Sequence, residues 1–507
     1  MVDYYRRQGI KAWSNGEVPF RISSNPYIAN AYAEIITGYL RDVSNADDSV
    51  RSVTIIELGA GSGQFGYLLA RALVERTIAN AAYKGPSFKY LMTDVADGNV
   101  SEWAKNPRLR FLVEQGIMEF AVLDVADPYS AMIAVSRRSL EQFNSGNPVV
   151  VIANYVLDVL VHDAFSVRDG KLNEVRIGVE IGKKMPEIIG SKEVFESLAF
   201  NRTATPVKFP YYNEPDLDSI LKSYSTTLKS ATFLFPVSAL RFMEKVSQMS
   251  GGRMLMIVSD KAYIRTDQLE GQNGLNLAVT GSFSAIINLD AVARWIREHG
   301  GVVKVPDSAS SHFDTYAFLL RHTGDFVNLS DAFSRAVDDL GPASYWAVAE
   351  NVMHHTGGFT LRALLGFLKL SCYDPYVVMA MKESLLQAAN EADVEGGERL
   401  HSALSKVWGN YYPMGGNRAR RDVAFLLGRL FRRLRKPERS LECFRASMEE
   451  FGAHCSVLRN IGICYEELGE KEEALSYYRE ASRLRPDLPA EEGITRLSHV
   501  DEIVASR

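Results

Sequence analysis

Residues Ile55 to Gly66 read IIELGAGSGQFG, an acidic residue at the end of an apolar run followed by three alternating glycines. Gly59, Gly61 and Gly63 leave no Cβ between the backbone and an approaching nucleoside group, and Glu57 offers a carboxylate to a cation or to nearby backbone. Gly61, Gly63 and Gly66 also spell GxGxxG, the fingerprint of dinucleotide-binding folds. That match is weak. In the dinucleotide motif the strand runs into its first glycine and a ribose-binding acid follows about 20 residues on, whereas here Glu57 interrupts and Asp94 lies farther away. An acid at the loop also opposes pyrophosphate and suits a cationic ligand.

The pattern hh[DE]hGxGxG resembles the first motif of class I S-adenosylmethionine methyltransferases, which implies S-adenosyl-L-methionine as cofactor. Under that resemblance Asp94, ending FKYLMTD, supplies a carboxylate to both ribose hydroxyls. Asp124, ending MEFAVLD, accepts from the adenine amino group. Each acid has a plain alternative. Asp94 could cap a helix or close a turn, and the neighbouring Asp127-Pro128 marks the region after Asp124 as a turn.

A closer resemblance follows from VVVIANYVLDVLVHDAFSV and GKLNEV, which are similar to the N-E-x-x-D-A-x-P and W-x-E-x-x-V segments of the MidA-like methyltransferases. That family includes a mitochondrial complex I assembly factor. PFRISSNPYIANAYAEII resembles its D-F-x-T-S-P-E-I-x-x-x-F-G-E segment, with Tyr32, Ala33 and Glu34 standing for F-G-E. The likeness spans about residues 15 to 325 and departs at Tyr155, where the family has Glu, and at Asn25-Pro26-Tyr27, where it has S-P-E. It places Asn154 with the cofactor, and Asp158 and Glu174 beside the acceptor. Methyl transfer needs in-line approach of a lone pair to the sulfonium methyl, so these two acids are expected to orient the nucleophile rather than act as obligatory bases. Asp158 could equally cap a helix, and Glu174 could be a solvated strand residue. His162-Asp163 is a weaker acid–base pair.

The elements that must position these residues alternate. A helix over 26–42 is capped by Ser24 or Asn25 with Pro26 at its first position, and the runs VTIIEL, FKYLMTD, MEFAVLDV, VVVIANY, RMLMIVSD and FDTYAFLLR read as strands separated by helical stretches. This predicts a Rossmann-like α/β sheet, mostly parallel with helices on both faces and closing near residue 322. KLNEVRIGVEIG looks like a hairpin arm, so the stretch 170–230 reads as an insertion covering a site. From about residue 330 the pattern is helical throughout.

GRLFRRLRKPERSLECFRAS and GICYEELGEKEEALSYYREASRLRPD align with Gly428 and Gly462 34 residues apart, the period of a tetratricopeptide repeat. The second unit carries Leu458, Ile461, Gly462, Tyr465, Ala474, Tyr478, Ala481 and Pro486 at the family spacing; the first has Ala424, Leu427, Gly428, Phe431 and Phe444, with Ser440 for the usual Ala. Helices over 375–410 and after Pro489 should stack on the ends. The expected organisation is an N-terminal helical segment over 1–50 contributing to the site, a methyltransferase domain over 51–325, a helical linker domain over 326–410 and repeats over 411–507.

A net charge of −5 gives no overall basic field, so nucleic acid is not expected as a partner. The four cysteines, Cys372, Cys443, Cys455 and Cys464, lack zinc spacing and read as reduced thiols; His354-His355 has no ligand partners at metal spacing, and no metal is expected. The start of the chain has no apolar h-region and no stretch of about 18 apolar residues occurs, which predicts a cytoplasmic protein with no membrane partner. The run Arg418, Arg420, Arg421, Arg429, Arg432, Arg433 and Arg435 reads as a solvated helical face or a surface for an acidic partner. The leading expectation is an enzyme that methylates a protein or peptide held through the repeats, leaving room for a homodimer. A small-molecule methyltransferase is the alternative within enzymes. The alternative from another class is a non-catalytic scaffold, motivated by the Tyr155 departure.

Overall fold

The computed structural model describes residues 2–14, 20–133, 138–144, 146–181, 198–275, 278–279, 283–307, 309, 312–320, 324–414, 422–485 and 488–505. It divides into two compact units, Met1–Tyr345 and Trp346–Arg507. Pro486, Arg418, Arg420 and Arg421 lie outside the described residues.

In the first unit the strands are β1 (Ser52–Glu57), β2 (Ser87–Asp94), β3 (Met118–Asp124), β4 (Asp127–Ile133), β5 (Val149–Ile152), β6 (Asp163–Arg168), β7 (Lys171–Ile181), β8 (Leu198–Pro206), β9 (Ser230–Phe235), β10 (Met254–Tyr263), β11 (Ala278–Val279), β12 (Phe283–Ser284), β13 (Ile287–Asn288), β14 (Val302–Lys304) and β15 (Phe313–Leu320). The main sheet runs β14-β15-β10-β5-β1-β2-β3-β4. Its centre, β10, β5, β1, β2 and β3, is parallel, while β15 and β4 pair antiparallel at either side. Strands covered on both faces must be apolar throughout, and every residue of Val149–Ile152 is buried, as are Val53 to Glu57. This is a Rossmann-like α/β sheet with additions, followed by an all-helical region.

The chain builds β1, β2 and β3 in one direction and then returns to lay β5 and β10 on the other side of β1. That reversal opens a crevice at the carboxyl ends of β1 and β5, where open α/β sheets bind ligands. Helix Pro26–Ala46 backs the same end. The Asn25 side chain accepts from the Tyr27 and Ile28 backbone N–H groups, satisfying two donors that a helix start leaves open.

Two readings of the sequence change in detail. The region after Asp124 is a tight turn, but a strand follows it at once, because Asp127 pairs back on Asp124 and continues to Ile133. The hairpin arm is one strand of a separate four-stranded sheet, β8-β7-β6-β9, that spans Asp163 to Phe235.

In the second unit the two repeats superpose chemically. A Cβ on Gly428 would come within 2.6 Å of the Phe444 ring, and one on Gly462 within 2.8 Å of the Tyr478 ring, so each glycine lets an aromatic of the partner helix touch backbone. Ser440, where the pattern calls for Ala, is fully buried and donates to the Gly428 carbonyl at 2.7 Å, which removes the cost of its hydroxyl. Helix Val394–Asn410 leads into the repeats, with Trp408 Nε1 donating to Glu442 at 2.8 Å. Glu466 is held internally by Arg496 at 2.7 Å and by the Tyr478 hydroxyl at 2.7 Å. His354 and His355 are exposed, and no helix among the described residues is long and apolar enough to cross a membrane.

Candidate functional site

The glycine loop leaves β1 with Gly59, Gly61 and Gly63 at φ of 57°, 56° and 80°, a left-handed conformation that side chains with a Cβ resist. Gly63 caps helix Gln64–Arg76. A Cβ on Gly59 would strike the Val156 side chain at 2.7 Å, which ties the loop to the segment after β5. A Cβ on Gly61 would strike the Trp13 indole at 2.7 Å, so the space above this glycine is filled by the protein's own N-terminal segment rather than lying open.

Glu57 does not face the crevice. Its carboxylate is 4% exposed, accepts from the Tyr90 hydroxyl at 2.8 Å, and lies 2.4 Å from the position of a Cβ on Gly66. It is packed under the helix that follows the loop, where burial pushes its pKa up to about 8 against the pull of the Tyr90 hydrogen bond. Its nearest role is structural support of the loop.

Asp94 sits at the crevice. One oxygen accepts from the Gly61 N–H at 2.9 Å and the other from the Ala96 N–H at 2.9 Å, so the carboxylate pins the glycine loop and starts the next helix. Burial raises its pKa and these backbone donors oppose the rise. Each oxygen keeps a lone pair for further donors. Asp124 is at the rim, partly exposed; it accepts from the Ala126 N–H at 3.0 Å and lies 3.9 Å from Arg6.

Across the switch point, the Asn154 side-chain oxygen accepts from the Tyr32 hydroxyl at 2.6 Å and from the Ser259 N–H at 3.2 Å, which leaves its buried Nδ2 without a partner. Asp158, on a short turn at Leu157–Val159, keeps Oδ1 buried and unpartnered. Asp260, near the end of β10 and 1% exposed, uses Oδ1 on the Lys261 N–H at 2.8 Å and leaves Oδ2 unpartnered. The two acids feel each other: burial lifts Asp158 to about 6, and burial together with the Asp158 charge lifts Asp260 well above the carboxylate range. Tyr155 holds φ at 51°, stacks on Phe313 with ring centroids 5.5 Å apart, and has its hydroxyl pKa raised by burial and by Asp260 and Asp158. A non-glycine residue in this conformation stores strain that the surroundings must hold.

Thus the glycine loop, Asp94, Asn154 and Asp158 converge on one crevice, with Asp124 at its edge. Glu174 lies elsewhere: on β7 of the four-stranded sheet it pairs with Arg176 at 3.1 Å and interacts with Tyr211. His162 Nε2 donates to the Leu157 carbonyl at 2.8 Å, and burial lowers its pKa. Asp163 accepts from the Tyr212 hydroxyl at 2.7 Å. Sequence reasoning missed Asp260, although its place in RMLMIVSD repeats the strand-then-acid pattern of Glu57 and Asp94. It also missed Trp13 and Tyr5, which no periodicity connects to the loop.

A family model for the tetratricopeptide repeat matches residues 455–488. No curated protein matches the chain. Among solved structures, an uncharacterized superfamily protein from Burkholderia thailandensis is similar at 14% identity, covering 67% of this chain and 90% of that one with a TM-score of 0.39. A second member of that superfamily from the same organism, inferred to be a methyl transferase and bound to S-adenosyl-homocysteine, is similar at 14% identity over 61% of this chain and 73% of its own, with a TM-score of 0.33. The third, MamA, is similar at 10% identity over 29% of this chain and 90% of its own, with a TM-score of 0.20. The chain joins a Rossmann-like α/β sheet to a helical region that carries a tetratricopeptide repeat. At these identities and scores the chemistry of the site rests on its own residues.

Proposed function

We propose that this protein is an S-adenosylmethionine-dependent methyltransferase whose acceptor is a protein or peptide side chain. The observation that carries the reading is the crevice at the switch point, where a left-handed glycine loop pinned by Asp94 faces three buried polar atoms without partners, Asn154 Nδ2, Asp158 Oδ1 and Asp260 Oδ2. Unpaired buried polar atoms are costly, so a ligand that pairs them recovers that cost. Asp94 fits the ribose hydroxyls. Asp124 is at the rim where an adenine edge would lie. The cofactor supplies an electrophilic methyl group on a sulfonium.

Asp158, ionised above about 6, presents an acceptor oxygen in a site that also holds the neutral Asp260 carboxyl, which suits an acceptor atom bearing hydrogens. Asp158 orients that atom's lone pair in line with the methyl group and takes the proton released as the new bond forms, while the neutral Asp260 carboxyl helps to position it. The repeats support a protein acceptor because stacked helix pairs of this kind present an extended surface to peptides. Glu174, outside the crevice, would serve only at the edge of acceptor binding.

The test has two parts. Calorimetry with S-adenosylhomocysteine should show binding in the micromolar range or tighter, and labelled methyl from S-adenosylmethionine should appear in protein when the enzyme is added to a lysate of its source cells. Label only in low-mass products would favour a small-molecule acceptor, and no affinity for the nucleoside would favour the scaffold.

A further inference from the structure

Residues 2–14 lie over the crevice. Helices Val2–Gln8 and Lys11–Ser14 carry Tyr5 and Trp13, whose rings stack with centroids 5.5 Å apart and planes 17° from parallel. This segment reaches every strand end that carries a candidate cofactor residue. Trp13 covers Gly61 after β1; Tyr5 is near Asp158 and Asp94, whose charges add to burial in raising its pKa to about 12; and Arg6 lies 3.9 Å from Asp124 after β3.

Beneath the segment is a buried polar side chain with hydrogen-bonding capacity to spare. Asn99, in the first turn of the helix after β2, is fully buried beside the Asp94 carboxylate, whose pKa it helps to hold down, and neither its amide oxygen nor its amide nitrogen has a well-formed hydrogen bond among the described residues. A Cβ on Gly9 would sit 3.5 Å from its oxygen, so the turn between the two short helices closes directly above it. An amide that offers a donor and an acceptor side by side matches the edge of adenine. Flat aromatic rings suit both a purine and a sulfonium, the first through stacking and the second through attraction of a cation to a π face.

We propose that Tyr5, Trp13 and Asn99 complete the nucleoside site, Asn99 pairing with the adenine edge from below while residues 2–14 close over the ligand and must lift for it to enter or leave. The inference rests on the reading of the crevice as an S-adenosylmethionine site. It adds residues far from the glycine motif in the chain, and it makes ligand exchange a motion of the N-terminal segment.

The experiment uses the full-length chain and S-adenosylhomocysteine as probe. Stopped-flow displacement should show dissociation at least tenfold faster from Trp13→Ala than from the wild type, and Asn99→Ala should raise the dissociation constant at least tenfold. Arg6, Arg7 and Lys11 are exposed, so trypsin should cut the unliganded wild type there and the ligand should slow that cleavage several-fold, a readout independent of any substitution. Unchanged dissociation from Trp13→Ala with no protection from trypsin overturns the inference while leaving the crevice reading intact. Tighter binding by Trp13→Ala also overturns it, because the indole would then occupy the ligand's own place. A wild-type chain with no affinity for the probe removes both readings.

Discussion

The Tyr90 hydroxyl donates to the buried Glu57 carboxylate at 2.8 Å beneath the glycine loop. Burial lifts the Glu57 pKa from the usual 4.5 to about 8, so the folded chain holds a proton there that the unfolded chain releases between those values. Stability from this group is therefore complete below the unfolded value and is lost as pH rises through the folded one. Glu57→Gln keeps an acceptor for Tyr90 and has no charge to bury. We expect it to melt with the wild type at pH 4.5 and above it at pH 8.5, by an amount on the order of a few kcal/mol. Equal melting curves at both values would mean that Glu57 is ionised and paired in the native state.

Asp94 links two elements, since its carboxylate takes both the Gly61 and the Ala96 N–H groups. Asp94→Ala frees the loop and removes the proposed ribose acceptor at once. Lost hydrogen bonds to a charged group predict weaker S-adenosylhomocysteine binding by about 1.5 to 3 kcal/mol, read by calorimetry. An unchanged dissociation constant would confine Asp94 to holding the loop.

Asp158 and Asp260 titrate as a pair, with Asp158 losing its proton first at about 6 and Asp260 well above the carboxylate range. If the ionised Asp158 orients the acceptor, methyl transfer rises with pH through about 6. Asp260→Asn should leave that limb in place, because Asp260 is neutral there. Asp158→Asn should abolish the limb and slow transfer by about 10²-fold or more, the scale of a positioned acid or base. A flat profile in the wild type would remove Asp158 from the chemistry.

Much of this architecture was legible. Local signals carried it: β-branched runs ending in an acid gave the central strands, Asn25 before Pro26 gave the helix cap, and the 34-residue spacing of Gly428 and Gly462 gave the repeats. Each reports contacts within a few residues or within one period. What stayed hidden depends on direction or distance. Glu57 and Asp94 look alike in sequence, yet one side chain turns under the helix and the other toward the loop. Glu174 follows Asp158 closely in the chain but belongs to β7 of the separate four-stranded sheet, opposite Phe165 of β6, where it pairs with Arg176. Trp13 meets Gly61 because of how the first helices fold back, and neither residue announces the other.

The last prediction concerns the repeats. Helix Val423–Arg433 carries Arg429, Arg432 and Arg433, and burial together with the charges of Arg429 and Arg432 pushes the Arg433 pKa down, a cost that an acidic partner would offset. Arg432 also keeps a buried Nε without a partner. On the second repeat, by contrast, Glu466 is already held by Arg496 and Tyr478, so Arg429 and Arg433 rather than Glu466 are the side chains proposed to recognise a partner. The double variant Arg429→Glu, Arg433→Glu reverses charge at half-buried positions and leaves the apolar contacts of Leu427, Gly428 and Phe431 untouched. Cofactor affinity should not change, because the glycine loop and its acids all belong to the Met1–Tyr345 unit. Methyl transfer to protein in a lysate should fall several-fold, and more steeply at low salt, where exposed charges act over longer distances. Circular dichroism must first show the helices intact. Full transfer by a folded variant would take acceptor recognition away from this face and favour a small-molecule acceptor.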